Sequence, residues 1–239
     1  MLPERASFDA PYAALSRRLE TVLGLLAPCQ LLADVGTDHG LLPIHAVRRG
    51  LARHALAIDL REEPLQGARR NLERAGEQAR VTALCADGFT GLSGRAVDAA
   101  VLAGLSGRTI ERLCGEALRS LPELRQLVVQ PNQGVDTLRA WAHGAGLHLR
   151  DEAMIEEHGR AFVVCAFAPG SGPDPAYERT SASLAIAFRV GPWLLARKDV
   201  VARRYCEAQR QRLSTLVLGG SSTLAAELGE FDSACQLFG

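Results

Sequence analysis

Surplus charge, paired cysteines, long apolar runs and repeats are all missing from this sequence, and each absence removes a class of protein. Its 27 basic and 27 acidic side chains balance to a formal charge of zero. No overall field draws the chain to nucleic acid or membrane, so a polyanion has to meet a local patch. The six cysteines, Cys29, Cys85, Cys114, Cys165, Cys206 and Cys235, are scattered. None forms C-x-x-C or has a histidine at zinc-ligand spacing, which predicts buried, reduced thiols and no metal. No apolar run reaches the roughly 18 residues of a bilayer span. The start, Met1-Leu2-Pro3-Glu4-Arg5, is charged and lacks the apolar stretch of a signal peptide. The expectation is a soluble cytoplasmic protein with no membrane partner. With 239 residues, 47% of them hydrophobic, the chain can bury a full core, and one large domain with a small appendage is the natural division.

One further absence is the most telling. Leu31-Leu32-Ala33-Asp34-Val35-Gly36-Thr37-Asp38-His39-Gly40 runs from an apolar strand through an acid and a glycine into a helical pattern at Leu41. That is how a parallel β/α sheet delivers a nucleotide-like ligand to the end of its first strand. The glycines form G-x-x-x-G, and the G-x-G-x-x-G that packs backbone against a pyrophosphate is not there. The ligand this predicts has an adenosine end and no diphosphate, with S-adenosyl-L-methionine the first candidate.

Ala10 to Leu26 reads as an amphipathic helix, with Tyr12, Leu15, Leu19, Val22 and Leu26 on one stripe, Pro11 in its first turn and Pro28 stopping it. Strands follow at 30–35, 55–60, 80–85, 97–103 and 124–130. Helices are expected at 41–49, 64–75, 108–121 and 135–145. Strands at 147–156 and 160–168, joined at His158-Gly159, read as a hairpin. This is an α/β pattern, a mostly parallel seven-stranded sheet with an antiparallel edge, and the outline of a Rossmann-like methyltransferase domain over 1–168. Residues 168–175, rich in proline and glycine, read as a linker. Helices expected at 176–189, 192–218 and 222–237 then make a small C-terminal helical domain over 175–239.

Candidate site residues sit at the strand ends. Asp59, 25 residues after Asp34, suits the two ribose hydroxyls of an adenosine ligand, or else caps the helix that follows. Asp87-Gly88 can meet the adenine amino group and base, or is simply a turn. Ala103-Gly104 leaves room for the ligand's methionine arm and an acceptor, or makes a tight turn with Ser106 as N-cap. Gln130-Pro131-Asn132 offers two amides that can read a base edge, though a loop with an Asx-turn is the plainer reading. Asp38 can steady positive charge on an acceptor or take its proton, or can cap the next helix; His39 carries less weight. Arg17 and Arg18, and the run from Arg189 to Arg212, are the basic concentrations. The latter holds Arg189, Arg197, Lys198, Arg203, Arg204, Arg210 and Arg212 against Asp199 and Glu207, with Trp193 and Tyr205 interleaved. Such a face either follows an RNA backbone or is merely solvated.

These motifs together resemble the bacterial tRNA adenine-N1 methyltransferases that act at position 22, the TrmK-like family, from about Ser16 to Leu213. The first signature is Asp34-Val35-Gly36-Thr37-Asp38-His39-Gly40 with Leu42-Pro43. Further blocks are Ser16-Arg17-Arg18-Leu19, Asp87-Gly88, Ala103-Gly104, Gln130-Pro131-Asn132, Arg139-Ala140-Trp141 and Gly191-Pro192-Trp193-Leu194. Asp59 stands where the family has glutamate, Leu105-Ser106-Gly107 where it has Met-Gly-Gly, and the tail with Gly219-Gly220 is shorter than the usual helical pair. The resemblance implies a class I methyltransferase fold, S-adenosyl-L-methionine as cofactor and tRNA as substrate for an RNA-binding tail, in a monomer or weak homodimer. It also implies that Arg18, Asp34, Gly36, Thr37, His39, Asp59, Leu60, Asp87, Gly88, Ala103 and Gly104 hold the cofactor. Asp38, Asn132 and Gln130 would then act on the acceptor. The Asn/Asp-Pro-Pro-aromatic turn of exocyclic-amine methylation is missing, and no strand-end cysteine is placed to attack pyrimidine C6. Two rivals remain at this point: a nicotinamide-dependent enzyme, disfavoured by the missing glycine, and a non-catalytic RNA-binding protein with a vestigial pocket.

Overall fold

The computed structural model describes residues 13–216 and 222–239. Helix α1 (Arg17–Gly24) precedes an alternation of β1 (Cys29–Val35), α2 (Leu41–Arg48), β2 (Ala52–Asp59), α3 (Glu62–Ala75) and β3 (Val81–Cys85). Then come β4 (Ala99–Leu105), α4 (Gly107–Ser120), β5 (Gln126–Pro131) and α5 (Val135–Gly144), and the hairpin β6 (Leu147–Glu157) and β7 (Arg160–Pro169). The tail is helical: α6 (Pro175–Glu178), α7 (Leu184–Val190), α8 (Pro192–Ala196), α9 (Val200–Leu216) and α10 (Ser222–Phe238).

The strands form one seven-stranded sheet in the order β3-β2-β1-β4-β5-β7-β6. β3 through β5 pair in parallel and β7 runs against both neighbours. Burial follows from this topology. Ala33, Ala57, Val101 and Val128 are fully buried because helices cover both faces of a parallel sheet. One face carries α1 and α2 on Leu32, Ala55 and Val101. The other carries α4, α5 and the tail on Leu102, Val129 and Phe167. The hairpin turns at His158 (φ 50°) and Gly159 (φ 71°), two successive left-handed residues as a tight two-residue loop requires.

The tail is not set apart by its core. Tyr177, Ala187, Val190 and Leu194 belong to the same buried cluster as Leu138 and Ala142 of α5. A buried ion pair joins the two parts. Arg139 donates to Glu152 through Nε at 3.0 Å and a terminal nitrogen at 2.6 Å, with both side chains fully buried. Arg139 also donates to the carbonyl of Phe188, at the end of α7. The other Glu152 oxygen accepts the Trp193 and Leu194 amides at the start of α8. Burial alone would lower the Arg139 pKa, but the Glu152 charge overrides it and holds the guanidinium protonated.

Several expected boundaries move. The first helix, expected over 10–26, starts only at Arg17 and ends at Gly24: residues 13–16 are not helical, and the Ser16 hydroxyl accepts from the Leu19 amide as N-cap. Pro11 and Tyr12 lie outside the described residues. The helix expected at 176–189 is two, because Ser183 caps a new start at Leu184. The one expected at 192–218 also divides: Lys198 turns left-handed (φ 51°) and Asp199 accepts the Val201 and Ala202 amides, opening α9. Residues 217–218 and Gly219-Gly220 lie outside the described residues. Cys85 is exposed at the end of β3 and Cys235 is half-buried, against the expectation of six buried thiols. No described helix is long and apolar enough to cross a membrane.

Candidate active site

A cleft of about 360 Å³ opens over the carboxyl ends of β1, β2 and β4. Strand order reverses between β1 and β4, and sheets of this kind bind ligands at that point. The turn after β1 builds its floor. The Gly36 and Thr37 amides both donate to the Ile58 carbonyl at 2.9 Å. Gly36 (φ 80°) and Gly40 (φ 68°) take left-handed conformations that a side chain would strain. A Cβ on Gly40 would also press on Ala68 of α3.

Asp34 lies under this turn, 3% exposed, accepting a 2.6 Å hydrogen bond from the Thr37 hydroxyl. Burial pushes its pKa up to about 7; the Thr37 bond opposes the rise and the Asp59 charge adds to it. A carboxylate here is short of a positive partner. Asp59 ends β2. One of its oxygens accepts the Arg61 amide at 3.0 Å, and the other makes no hydrogen bond among the described residues. Leu60 beside it stands 65% exposed.

Asp38 does not cap α2. The N-cap is Gly40, and no side chain bonds the helix start. Asp38 is instead left-handed (φ 53°) and exposed at the cleft, 3.6 Å from the His39 ring. An acid in a conformation seldom taken by non-glycine residues, facing a cleft, is a place to look for function.

The Gln130-Pro131-Asn132 motif clamps one glycine. Gln130 is fully buried; its amide oxygen accepts the Gly104 N–H at 3.1 Å and its nitrogen donates to the Pro131 carbonyl. Asn132 donates to the Gly104 carbonyl at 2.6 Å and accepts from Arg18 at 3.3 Å. Both amides thus fix Gly104 (φ 76°), the residue that leaves the cleft wall bare. A Cβ there would meet only Arg18, at 3.9 Å. Arg18 itself is held by the hairpin: its backbone amide donates to Glu157, and its guanidinium lies 5.3 Å from the Phe162 ring.

Of the residues singled out in the sequence, Arg18, Asp34, Gly36, Thr37, Asp38, His39, Asp59, Ala103, Gly104 and Asn132 line the cleft. Gln130 does not reach it, because both ends of its amide are used beneath the wall. Asp87 and Gly88 do not line it either. Asp87 is exposed and pairs with Arg112 of α4 at 3.4 Å, and a Cβ on Gly88 would overlap Leu113. Leu60 is absent from the wall. Arg61 and Leu41 line it and were not singled out, and Leu19, Leu42 and Leu105, which also line it, entered only as parts of a helix stripe or of family-like blocks. Phe162 and Glu157, which steady Arg18 from about 140 positions away, left no local signal. Among the described residues no group of His, Cys, Asp and Glu is arranged to hold a metal.

Sheet order, the reversed strand and a cleft over β1, β2 and β4 define the Rossmann-like methyltransferase class. Residues 15–165 match a family model described as a methyltransferase domain. The tRNA (adenine(22)-N(1))-methyltransferase of Bacillus subtilis is 30% identical over 187 residues, 78% of this chain and 77% of the relative. The chain belongs to that family. The crystal structure of the B. subtilis m1A22 tRNA methyltransferase TrmK superposes with a TM-score of 0.80 at 26% identity, covering 94% of this chain and 97% of the other. A Streptococcus pneumoniae candidate tRNA (m1A22) methyltransferase, solved in complex with S-adenosyl-L-methionine, gives 0.82 at 27% identity, over 93% of this chain and all of the other.

Proposed function

We propose that this chain transfers a methyl group from S-adenosyl-L-methionine to N1 of an adenine in tRNA, at position 22 as in its B. subtilis relative. The observation that carries the reading is a cleft lined by a buried carboxylate, Asp34, that lacks a cation, together with the exposed Asp38 and Asn132. The residues fit the cofactor: Asp34 is a buried carboxyl that a positive charge would ionise, Asp59 keeps an oxygen for ribose hydroxyls, and Gly104 leaves space.

When bound, the cofactor supplies an electrophilic methyl on a positively charged sulfur. Asp34 offsets that charge from below, and Thr37 fixes the carboxylate's orientation. Leu60 offers an exposed apolar surface beside Asp59, where a purine can rest, with Asp87 and Gly88 beyond the neighbouring strand. Adenine N1 keeps its lone pair in the neutral base, so the protein's main task is to align it, which accounts for much of the acceleration. Asp38 faces the positive charge that forms on the ring as the methyl group leaves the sulfur, and stabilises it with no proton having to leave. Gln130 and Asn132 act as positioning residues through Gly104.

Residues 1–168 serve as the catalytic domain and 175–239 hold the tRNA, in a cytoplasmic monomer or weak homodimer. Incubation with methyl-labelled cofactor and bulk tRNA, followed by nucleoside mapping, is expected to give 1-methyladenosine at position 22. Any other methylated nucleoside overturns the assignment.

A further inference from the structure

We infer that a second pocket, entered across Asn132, seats the adenine to be methylated; this rests on the function proposed above. The pocket measures about 200 Å³ and lies beyond the β5 end, beneath α7 and α9. Asn132 lines both it and the cofactor cleft, so the two spaces share a wall. Met154, Val163 and Ala161 of the hairpin form one side, and the Tyr205 ring from α9 forms another. Tyr205 is held edge-on to Phe231, with centroids 6.1 Å apart, so its ring is already oriented.

A nucleobase drawn out of a stack has two flat apolar faces and a polar edge. Aromatic and thioether side chains suit the faces. The Tyr205 hydroxyl and the exposed Gln133 amide make no side-chain hydrogen bond among the described residues, which leaves both for the edge. Charge separates a base from a phosphate here. Arg189, the cation at this pocket, is already surrounded by Asp136, Glu227 and Glu230. Three carboxylates against one guanidinium repel a phosphate, yet favour a neutral ring that becomes cationic on methylation.

The test uses the full chain and a tRNA in two forms, one intact and one abasic at the mapped acceptor position. Ala161 is exposed on β7, so Ala161→Leu adds bulk to the pocket without removing packing. Tyr205→Ala removes the stacking ring and Tyr205→Phe only the hydroxyl. The wild type is expected to bind the intact form about ten-fold more tightly, as stacking of one base on an aromatic ring allows. Ala161→Leu and Tyr205→Ala should bind both forms alike and lose about ten-fold or more in kcat/KM for tRNA. Calorimetry should find their cofactor affinity unchanged, and Tyr205→Phe should keep most of the preference. An Ala161→Leu protein with wild-type preference and kcat/KM overturns the inference, as does a preference that depends on the neighbouring base. A base preference without 1-methyladenosine formation overturns the proposed reaction and leaves the pocket standing.

Discussion

Asp34 is the residue at which burial and function conflict most directly. A carboxylate whose folded pKa is raised to about 7 binds a proton more tightly in the folded than in the unfolded state. Its folded-state cost is therefore nil below the ordinary aspartate pKa, grows as pH rises from about 4 to 7, and is constant above. Asp34→Asn is expected to stabilise the fold above pH 7 by about 2–4 kcal/mol in urea unfolding, the gain vanishing near pH 4. The same carboxylate must ionise to meet a cation, so binding of S-adenosyl-L-methionine should release a proton. Affinity measured by calorimetry should then fall by up to about ten-fold per pH unit below 7, and Asp34→Asn should flatten that profile. Asp38 is the contrasting case, exposed and unconstrained by a helix cap. On the proposed role of Asp38, Asp38→Asn is expected to lower kcat by about 10²-fold, with a smaller effect on cofactor affinity; a normal kcat would remove it from the chemistry.

The elements show what pattern reading can reach. Strand and helix periodicity located all seven strands, because each buried strand is an apolar run ended by polar turn chemistry. The tail helices were misjoined because the breaks at Ser183 and Asp199 rest on single side-chain caps inside otherwise helical runs. The cleft residues of the first turn were legible from contiguous spacing, whereas the Arg18 clamp depends on a hairpin far along the chain. Arg139 and Gly191 appeared only as family-like blocks, and packing gives them a reason. Gly191 (φ 117°) lies so close to Glu152 that a Cβ would overlap its carboxylate. Gly191→Ala is expected to lower stability by about 2–4 kcal/mol in a thermal melt. Glu152→Gln, which leaves the buried Arg139 charge unpaired, should cost about 3–5 kcal/mol.

At the scale of the whole molecule, the basic run of the tail is thinner than its composition suggests. Arg189 is engaged with Asp136 of α5 and with Glu227 and Glu230 of α10, Arg197 with Asp151 of β6, and Arg203 pairs with Glu207 within α9. Arg204, Arg210 and Arg212 of α9 are exposed without an ion-pair partner among the described residues, Arg212 bonding only the Gln209 amide. If the tail grips tRNA, these are the cations of α9 that follow the backbone. The double variant Arg204→Glu/Arg210→Glu is expected to weaken tRNA binding and to reduce the slope of log affinity against log salt by about two. Removing residues 175–239 outright would also remove Tyr177, Val190 and Leu194 from the common core, so charge reversal is the cleaner probe.

The Arg139–Glu152 bridge divides the tail by its freedom to evolve. The end of α7 and the start of α8 are moored to the catalytic body through the Phe188 carbonyl on Arg139 and the Trp193 and Leu194 amides on Glu152, and cannot drift without disturbing the fold. Beyond that anchorage α9 and α10 are held by apolar packing, with Cys206, Leu213 and Phe231 in the common core, so only their far ends can lengthen or shrink. Relatives that recognise different RNA architectures should therefore diverge in their distal arm while keeping the same hinge-less mooring at its base.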